Sequence, residues 1–407
     1  MFSDLWVLFL ALVILVGLIS GQGIIISLGV MSLLVGSLSW TWNRLSLERV
    51  IYNRSVSNKR VFRGEEVELT VTITNKKPIP LAWLQAEDDF PENVELRGGE
   101  LHATSRHGIL SLRHSTSMGW YERVRWSYRL VSLNRGYYRI GPATLKSGDL
   151  FGFFNSERQE SPQEYLLVYP RVAPIPQLEL PAARPLGDTR GGLRIFEDPS
   201  RHAGLRDYQP GDPFNIVDWK ATARHMSMQS RIFEPTVTHN LVVVLNVDTS
   251  EHIWEGYLPL YLERAVTAAA SIASWAFEHR YQVGLFSNGT PLLADRPLNI
   301  PPTRNPQQLP IILEALAAVG PFNVGSVSKM LTQEAHKFPM GATLILVTAL
   351  LPEALVETID YLKKRGYRLF VSYVADDKPS AVSQGVPMYE MGSYLASLES
   401  PYAPPSR

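Results

Sequence analysis

Two long uncharged segments at the N-terminus constrain the fold of this chain more than any other feature. Residues 5–20 and residues 24–42 contain no charged side chain, and a short glycine-containing turn separates them. A membrane-spanning helix needs roughly 20 consecutive apolar residues, with about 17 as a lower limit. The second segment meets this requirement, and the first is marginal. The pattern predicts a transmembrane helical hairpin over residues 1–43, with Trp40 and Trp42 at the membrane interface.

The charges that flank these segments distinguish between two topologies. A cleaved signal peptide is the alternative to a hairpin, but it needs a basic N-terminal region, and the first four residues carry only Asp4. Basic side chains follow the second segment, whereas the turn has none; they are Arg44, Arg49, Arg54, Lys59, Arg60 and Arg63. Because basic residues stay on the cytoplasmic side, we expect a protein of the cytoplasmic membrane with two transmembrane helices and cytoplasmic soluble domains.

Residues 50–170 show the features of antiparallel β structure. From Glu66 to Thr74, apolar residues alternate with Glu and Thr, which is the period of a half-buried strand. Residues 124–133 and 137–154 indicate further short strands bounded by turn residues. Strands at this spacing favour a β-sandwich domain over residues 50–170. The acidic cluster at residues 87–89 is most simply a solvated turn.

Residues 171–236 are expected to connect the β-rich domain to the next one. Residues 171–190 are rich in proline and indicate a linker, because such a segment cannot form a long helix or strand. Within residues 206–224, Asp212 follows a Pro-Gly turn and precedes Pro213. These residue types are favoured at the cap and at the first position of a helix. We therefore predict a helix that begins after Asp212.

The faces of this predicted helix allow two interpretations. Ile216, Trp219 and Ala223 lie on one face, and Lys220 and Arg224 lie together on a neighbouring face. One interpretation is a capped helix that docks through Trp219 and shows the basic residues to solvent. The other is a basic and aromatic surface that binds an acidic partner segment or an anion.

Residues 237–380 alternate between apolar strands, such as residues 239–248 and 342–349, and helical segments. This alternation predicts an α/β domain with right-handed crossovers and a mainly parallel sheet. Residues 381–407 are expected to form a C-terminal tail. The formal net charge is zero and the chain contains no cysteine. The composition therefore gives no argument for a nucleic-acid partner, and it excludes disulfides and thiol chemistry.

The segment around the Pro-Gly turn resembles the hallmark of domain-of-unknown-function family 58. The matching string is Arg206-x-Tyr208-x-Pro210-Gly211-Asp212, followed by Trp219-Lys220-Ala221-x-Ala223-Arg224. Residues 63–91, residues 148–154 and the N-terminal hairpin are also similar to members of this family. The resemblance implies a C-terminal domain similar to a von Willebrand factor A domain. It also implies work beside MoxR-type AAA+ ATPases in the assembly or maturation of other proteins. Asn215 and Ile216 stand where the family commonly has basic residues, which weakens an anion-binding role.

Residues 248–252 contain part of a metal-ion-dependent adhesion site, which takes Asp-x-Ser-x-Ser, a Thr from a second loop and an Asp after a later strand. Asp248 and Ser250 match, but His252 replaces the second Ser. Phe322 stands where the Thr is expected, and Ala349 where the Asp is expected. Because Mg²⁺ prefers about six oxygen ligands, we predict that Asp248, Ser250 and His252 are a degenerate remnant of a metal site that binds no metal.

These features predict a membrane-anchored interaction or adaptor protein that is not an enzyme and needs no cofactor. Its expected partner is a protein, with a MoxR-type AAA+ ATPase implied by the resemblance. The predicted contact residues are Arg206, Tyr208, Asp212, Trp219, Lys220 and Arg224. The carboxyl edge of the α/β sheet is a second predicted binding surface. The alternative function is a hydrolase of unknown substrate that uses Asp248 and His252, although no sequence feature supplies its nucleophile.

Overall fold

The structure is a computed structural model that divides into two compact units, Met1–Pro170 and Arg171–Arg407. Each unit has its own core. The residues that the structure describes are 5–132, 134–160, 163–175, 196–210, 212, 214–236, 240–250, 256–291, 296–379 and 385–399.

The N-terminal unit begins with two apolar helices, α1 (Leu5–Ser20) and α2 (Gly23–Ser46). In the described part of the chain, α2 is the one helix that is long and apolar enough to cross a membrane. The two helices pack closely because small residues face the partner helix. A β-carbon added to Gly29 would lie 2.6 Å from a side-chain carbon of Ile14, and one added to Gly17 would lie 3.0 Å from Ile26. Such small-residue contacts are typical of helices that associate in lipid.

Twelve strands follow in three sheets. The first sheet has the order β1 (Val50–Val56), β3 (Glu66–Asn75), β8 (Arg123–Ser132), β5 (Val94–Arg97). The second has the order β11 (Asn155–Glu160), β10 (Ala143–Gly148), β4 (Leu81–Pro91), β7 (Ile109–Met118), β6 (Leu101–Ala103). The third has the order β2 (Arg60–Phe62), β12 (Glu164–Tyr169), β9 (Gly136–Ile140).

The alternating pattern of the sequence places the core of this unit. Strand β3 buries every second residue, and its buried positions Val67 and Leu69 belong to the same apolar cluster as Leu84 of β4 and Leu145 of β10. The first and second sheets therefore share one core. A shift of one residue in register would turn this apolar set to solvent, so the pattern determines the pairing. The prediction of a β-rich region after the N-terminal helices is confirmed.

The acidic cluster at residues 87–89 is not a solvated turn, and that expectation was wrong. The three residues lie inside strand β4. Asp88 points into the core and is fully buried, where it pairs with the buried Arg54 and accepts a hydrogen bond of 2.7 Å from the hydroxyl of Tyr52. Its inward position interrupts the apolar alternation of β4, because a paired carboxylate stands where a hydrophobic residue is expected.

The C-terminal unit contains a six-stranded mixed sheet. Its order is β18 (Leu298–Thr303), β16 (Gln282–Ser287), β15 (Asn240–Leu245), β20 (Thr343–Thr348), β21 (Arg368–Tyr373), β22 (Met388–Glu390). Every neighbouring pair is parallel except β16 and β18. Two short strands, β17 (Gly289–Pro291) and β19 (Val319–Asn323), pair beside it. The prediction of an α/β region with a mainly parallel sheet is confirmed.

Five longer helices connect or follow these strands: α4 (Pro259–Glu278), α5 (Gln308–Ala318), α6 (Val327–Glu334), α7 (Glu353–Lys364) and α8 (Gly392–Glu399). A short 3-10 helix at Ala335–Lys337 extends α6. Part of the segment assigned to the C-terminal tail is regular structure, because β22 completes the sheet and α8 follows it. An edge strand as short as β22 carries little pattern of its own, since its pairing partner β21 decides its conformation.

The segment between the two domains also contains regular structure. Strand β13 (Phe196–Asp207) pairs with β14 (Gln229–Thr236), and the short helix α3 (Trp219–His225) lies between them after a 3-10 helix at Phe214–Ile216. Residues 176–195, which include most of the proline-rich stretch of residues 171–190, lie outside the described residues. The hallmark motif therefore sits on the end of a β-hairpin.

Candidate functional site

The cap of helix α3 is Asp218, and the prediction that the helix begins after Asp212 was wrong. Asp218 accepts hydrogen bonds of 3.0 Å from the backbone N–H groups of both Lys220 and Ala221. Its second oxygen accepts one of 3.0 Å from the Nε of Arg231 on β14. Both Asp212 and Asp218 precede a short helical segment, but only Asp218 lies where a carboxylate reaches the free N–H groups of α3.

Asp212 instead closes the turn that follows β13. Its carboxylate accepts hydrogen bonds from the backbone N–H of Gln209 (3.1 Å) and the hydroxyl of Ser230 (3.1 Å). It also accepts one of 2.7 Å from the guanidinium of Arg206, and its carbonyl accepts one of 3.3 Å from the hydroxyl of Tyr208. The N–H of Gln209, and then the Arg206 side chain, hold the pKa of Asp212 below its ordinary value. Arg206, Tyr208 and Asp212 thus form an internal frame.

Helix α3 shows an aromatic and basic face to solvent. The side chain of Trp219 is 64% exposed, and Lys220, Ala223 and Arg224 are exposed beside it. These four positions share one side of the helix by their spacing, whereas Ala221 on the other side is buried. The interpretation in which the helix docks through Trp219 was therefore wrong. Ala221 is the residue that docks.

Two further apolar side chains extend this face. Phe214 is exposed and stacks on Tyr208 with ring centroids 6.0 Å apart. Met226, which ends the helix in a left-handed conformation with φ of 53°, is 92% exposed. We call Phe214, Trp219, Lys220, Arg224 and Met226 the Trp219 surface. The six predicted contact residues therefore divide into three that α3 displays (Trp219, Lys220 and Arg224) and three that bond one another in the preceding turn (Arg206, Tyr208 and Asp212).

A second polar cluster lies at the carboxyl edge of the six-stranded sheet. Strands β16 and β20 lie on opposite sides of β15, so the order of the sheet reverses at β15, and ligands of open α/β sheets bind beside such a point. Asn246 donates to the hydroxyl of Thr348 (3.1 Å), and its oxygen accepts from Asn288 (3.1 Å). The oxygen of Asn288 in turn accepts from the backbone N–H of Val247 (3.0 Å). These bonds join the ends of three strands.

Asp248 is the acidic member of this cluster. One carboxylate oxygen accepts a hydrogen bond of 3.1 Å from the amide of Asn288, and the other accepts one from the amide of Asn323. Burial raises the pKa of Asp248, and the bonds from Asn323 and Asn288 act in the opposite direction. A neutral amide donor therefore contacts each oxygen of the carboxylate.

The other positions of the expected metal motif have different environments. The hydroxyl of Ser250 donates to the carbonyl of Gly256, Phe322 is exposed, and Ala349 is buried. His252 lies outside the described residues. No group of three or more His, Cys, Asp or Glu side chains converges in the part of the chain that the structure describes. The prediction that no metal binds stays a prediction.

Sequence reasoning missed the three asparagines around Asp248. Asn246 and Asn288 both come at the end of an apolar strand, and Asn323 ends β19. An amide at the end of a buried strand is a usable signal, because a buried polar side chain must find hydrogen-bond partners. The metal-site motif consists of carboxylates and hydroxyls, so it carries no information about these amides.

Comparisons with known proteins add a family and one relative. Residues 204–382 match the model of a family described as "Protein of unknown function DUF58". The uncharacterized protein YeaD of Bacillus subtilis (strain 168) is 26% identical over 239 residues, which cover 58% of this chain and 55% of that protein. The match thus spans about half of the relative's length.

Solved structures align with about a third of the chain. The CARDB domain of a Pyrococcus furiosus protein is 17% identical, with a TM-score of 0.20, and the match covers 29% of this chain and 91% of that one. A non-cellulosomal cohesin from Archaeoglobus fulgidus is 7% identical, with a TM-score of 0.19, and the match covers 29% of this chain and 90% of that one.

Proposed function

We propose that this chain, whose residues 204–382 match the model of the DUF58 family of proteins of unknown function, is a membrane-anchored protein–protein interaction protein, an adaptor that holds a partner through the Trp219 surface. The observation that carries this proposal is the exposure of Trp219 on a helix whose cap, Asp218, is bonded to Arg231 of β14. A large aromatic side chain in water loses the free energy that its burial would supply, about 1.5–3 kcal/mol for a large apolar side chain.

The residue types of the Trp219 surface fit a protein partner. Tryptophan and arginine are the residues that most often dominate the binding energy of an interface. The exposed cations Lys220 and Arg224 favour an acidic partner segment, and the exposed apolar Phe214 and Met226 favour a partner that also brings apolar side chains. The partner that we propose is an AAA+ ATPase of the MoxR type, as the family resemblance implies, and the process is assembly or maturation of other proteins.

The proposal includes a topology for the chain. Helices α1 and α2 both cross the membrane, and both units lie on the cytoplasmic side. The length and apolar character of α2 and the basic residues after it support this arrangement. Protease treatment of spheroplasts tests it, because digestion of the soluble domains without lysis would place them outside the membrane.

We assign the two units to known architectures as part of the same proposal. The first two sheets of the N-terminal unit share one core, which supports a β-sandwich. The doubly wound order of the C-terminal sheet and the position of Asp248 after its first strand support a domain similar to a von Willebrand factor A domain. Its carboxyl edge, where Phe322 and Val324 are exposed, is a second binding surface.

Capture of partners from detergent-solubilised membranes tests the Trp219 surface. The double variant Trp219→Ala with Arg224→Glu removes the aromatic anchor and reverses one charge. We expect the AAA+ ATPase to be lost from the captured material by about tenfold or more, since removal of a hot-spot residue costs about 2 kcal/mol or more. Equal recovery of the ATPase with the wild type and the double variant would show that this surface is not the contact.

A matched control makes a similar pair of substitutions at a different place on the protein. Met340 is 92% exposed, and Lys329 is exposed on α6, so Met340→Ala with Lys329→Glu removes an apolar side chain and reverses a charge elsewhere in the same unit. We expect this control to capture partners as the wild type does. Loss of partners with both double variants would mean that net charge, and not the Trp219 surface, governs capture.

A further inference from the structure

The turn between β10 and β11 displays large apolar side chains although it lies beside a membrane-type helix. We call residues 148–154 the aromatic loop. Leu150, Phe151 and Phe153 are each more than half exposed, at 56%, 58% and 65%. The rings of Phe151 and Phe153 stack with centroids 5.8 Å apart. We propose that the aromatic loop inserts into the lipid interface beside α2 and acts as a second membrane contact, an inference that rests on the membrane anchor of the proposed function.

The exposure of these side chains is built into the loop. Asp149 is buried, and its carboxylate accepts hydrogen bonds from the backbone N–H groups of Phe151 (3.0 Å) and Phe154 (2.7 Å). Gly152 has a φ of 77°, which glycine adopts at little cost. The carboxylate thus holds the loop in a tight turn from within. The apolar side chains of the loop are displayed on its outside.

Hydrogen bonds tie this hairpin to the C-terminal end of α2. The hydroxyl of Ser156 on β11 donates to the side chain of Asn43 (3.0 Å). Arg158 on the same strand donates to the carbonyls of Leu47 (2.6 Å) and Val50 (2.5 Å). A cation that bonds the last carbonyls also stabilises the negative end of a helix. The aromatic loop is therefore fixed relative to the helix.

A second contact repeats this arrangement on the neighbouring turn. Lys77 is buried, and its ammonium donates to the carbonyl of Ser46 (2.5 Å), the last residue of α2, and to that of Glu48 (2.9 Å), just after the helix. The carbonyl of Lys77 accepts from the N–H of Tyr121, and Tyr121 is exposed together with Trp120. Two turns with exposed aromatic side chains thus lie at the helix end.

The register of the second sheet places both turns at the same end. Strand β4 pairs Leu84 with Thr116 of β7, and the same Leu84 with Ser147 of β10. The aromatic loop follows Ser147 directly, and the turn that carries Trp120 comes shortly after Thr116. The opposite end of the sheet carries His107, close to the pair of Pro91 with Ile109. That end is roughly 25 Å away, since a strand rises about 3.3 Å per residue.

The depth of the aromatic loop follows from its neighbour on α2. Burial raises the pKa of the Asp149 carboxyl, but the backbone N–H groups of Phe154 and Phe151, together with the nearby hydroxyl of the buried Ser39 on α2, hold that pKa below its ordinary value. Ser39 precedes Trp40, and Arg44 lies over the Trp40 ring at 5.6 Å. At 1.5 Å per residue, Arg44 is about 8 Å further along the helix than Ser39. Tryptophan and arginine mark the membrane interface. The aromatic loop therefore begins on the hydrocarbon side of that interface.

Lipid is the occupant that the surroundings favour. The surface of α2 next to this end is apolar and exposed, including Leu34 and Leu38. The aromatic loop continues that apolar surface from the β-rich unit, and Trp120 and Tyr121 are residue types that prefer the headgroup region. Apolar side chains held at this level gain by insertion about 5–10 Å into the boundary between headgroups and acyl chains.

Depth-dependent fluorescence quenching tests this inference on the full chain. Because the natural sequence contains no cysteine, single variants carry one environment-sensitive label each. We choose Phe153→Cys for the aromatic loop, Leu38→Cys for α2 and His107→Cys for the opposite end of the sheet. The labelled proteins are reconstituted in vesicles of phosphatidylcholine and phosphatidylglycerol with acyl chains brominated close to the glycerol. Leu150→Cys repeats the loop measurement if Phe153→Cys does not accumulate.

We expect the labels at Phe153 and Leu38 to be quenched at least twofold and the label at His107 to be unaffected. Quenching at Leu38 without quenching at Phe153 would overturn the inference and leave the anchor in place. A blue-shifted but unquenched label at Phe153 would assign the loop to a protein contact and would also overturn it. Quenching at neither Leu38 nor Phe153 would remove the membrane anchor of the proposed function together with this inference.

Discussion

The two units of the molecule enclose an aspartate in opposite ways. In the N-terminal unit, Asp88 is fully buried against a guanidinium, that of Arg54. In the C-terminal unit, Asp248 is only partly buried and is bonded by the amides of Asn288 and Asn323, with no cation paired to it among the residues that the structure describes. A buried charge with an opposite charge beside it belongs to the core. A carboxylate that only neutral donors hold, at the edge of a sheet where ligands bind, belongs to a candidate site.

The difference shows that burial alone does not distinguish structural from functional carboxylates. Asp88 lies in the middle of a long strand, and side chains in the core of the same unit supply its hydrogen-bond partners. Asp248 lies just after a strand, where loops converge. Its hydrogen-bond donors there are neutral amides.

Arg54→Met should have the largest effect. The change leaves Asp88 buried without its cation, and loss of one partner of a buried ion pair costs about 3–5 kcal/mol. We expect the free energy of unfolding of the N-terminal unit to fall by that amount, measured by proteolysis at increasing urea in detergent.

The matched control is Arg97→Met, because Arg97 pairs with Glu66 on the surface and exposed pairs contribute about 0–1 kcal/mol. If the two variants lose the same stability, Asp88 does not depend on its partner in the way that the comparison requires.

His114 should produce an intermediate, pH-dependent effect in the N-terminal unit. Burial lowers its pKa from 6.5 to about 4, while its Nε2 lies 2.9 Å from the hydroxyl of Tyr128. Between these values the unfolded chain binds the proton and the folded chain does not. The free energy of unfolding therefore falls as the pH decreases from 6.5 towards 4, by about 1–3 kcal/mol.

The variant His114→Gln should remove this slope, so the difference between wild type and variant, followed by urea unfolding at several pH values, measures it. A wild-type slope that persists in His114→Gln would mean that another group causes it.

Asp248 should have the opposite pH dependence in the C-terminal unit. Because its pKa is raised above 3.8, its contribution to the free energy of unfolding is complete below that value and is lost as the pH rises through the raised pKa.

Divalent cations should have the smallest effect. Both oxygens of Asp248 already accept amide N–H groups, and Ser250 donates to a carbonyl. A cation would have to displace these bonds, and Phe322 and Ala349 supply no further side-chain ligand. We expect calorimetry with Mg²⁺ or Mn²⁺ to give no saturable heat. A saturable signal that Asp248→Ala abolishes would contradict this and would restore a metal site at the carboxyl edge.

Local sequence pattern was most informative where one face of an element is buried. The period-two alternation of residues 66–74 predicted β3, and the apolar runs at residues 239–248 and 342–349 predicted the central strands of the α/β sheet. The pattern failed for β4, where Asp88 occupies a core position. It also failed for the start of α3, since Asp212 and Asp218 are both good caps by residue type.

The candidate site was predictable in its location but not in its roles. The hallmark motif directed attention to residues 206–224. Nothing in the spacing distinguished Arg206, which bonds Asp212, from Arg224, which is displayed. The spacing also placed Trp219 on a face that could dock, and only the contact of Ala221 with the hairpin decided which side of the short helix is buried.

The sequence by itself determined the apolar N-terminal helices, the order of β-rich and α/β regions, and the incomplete set of metal ligands, because composition and period are local properties of the chain. Only the tertiary structure decided that Asp88 pairs with Arg54 across the core, that Asn246, Asn288 and Asn323 gather around Asp248, and that the aromatic loop lies beside α2. Each of these depends on which distant segments meet. A long-range contact forms through packing and pairing of whole elements, and the identity of a single residue does not predict it.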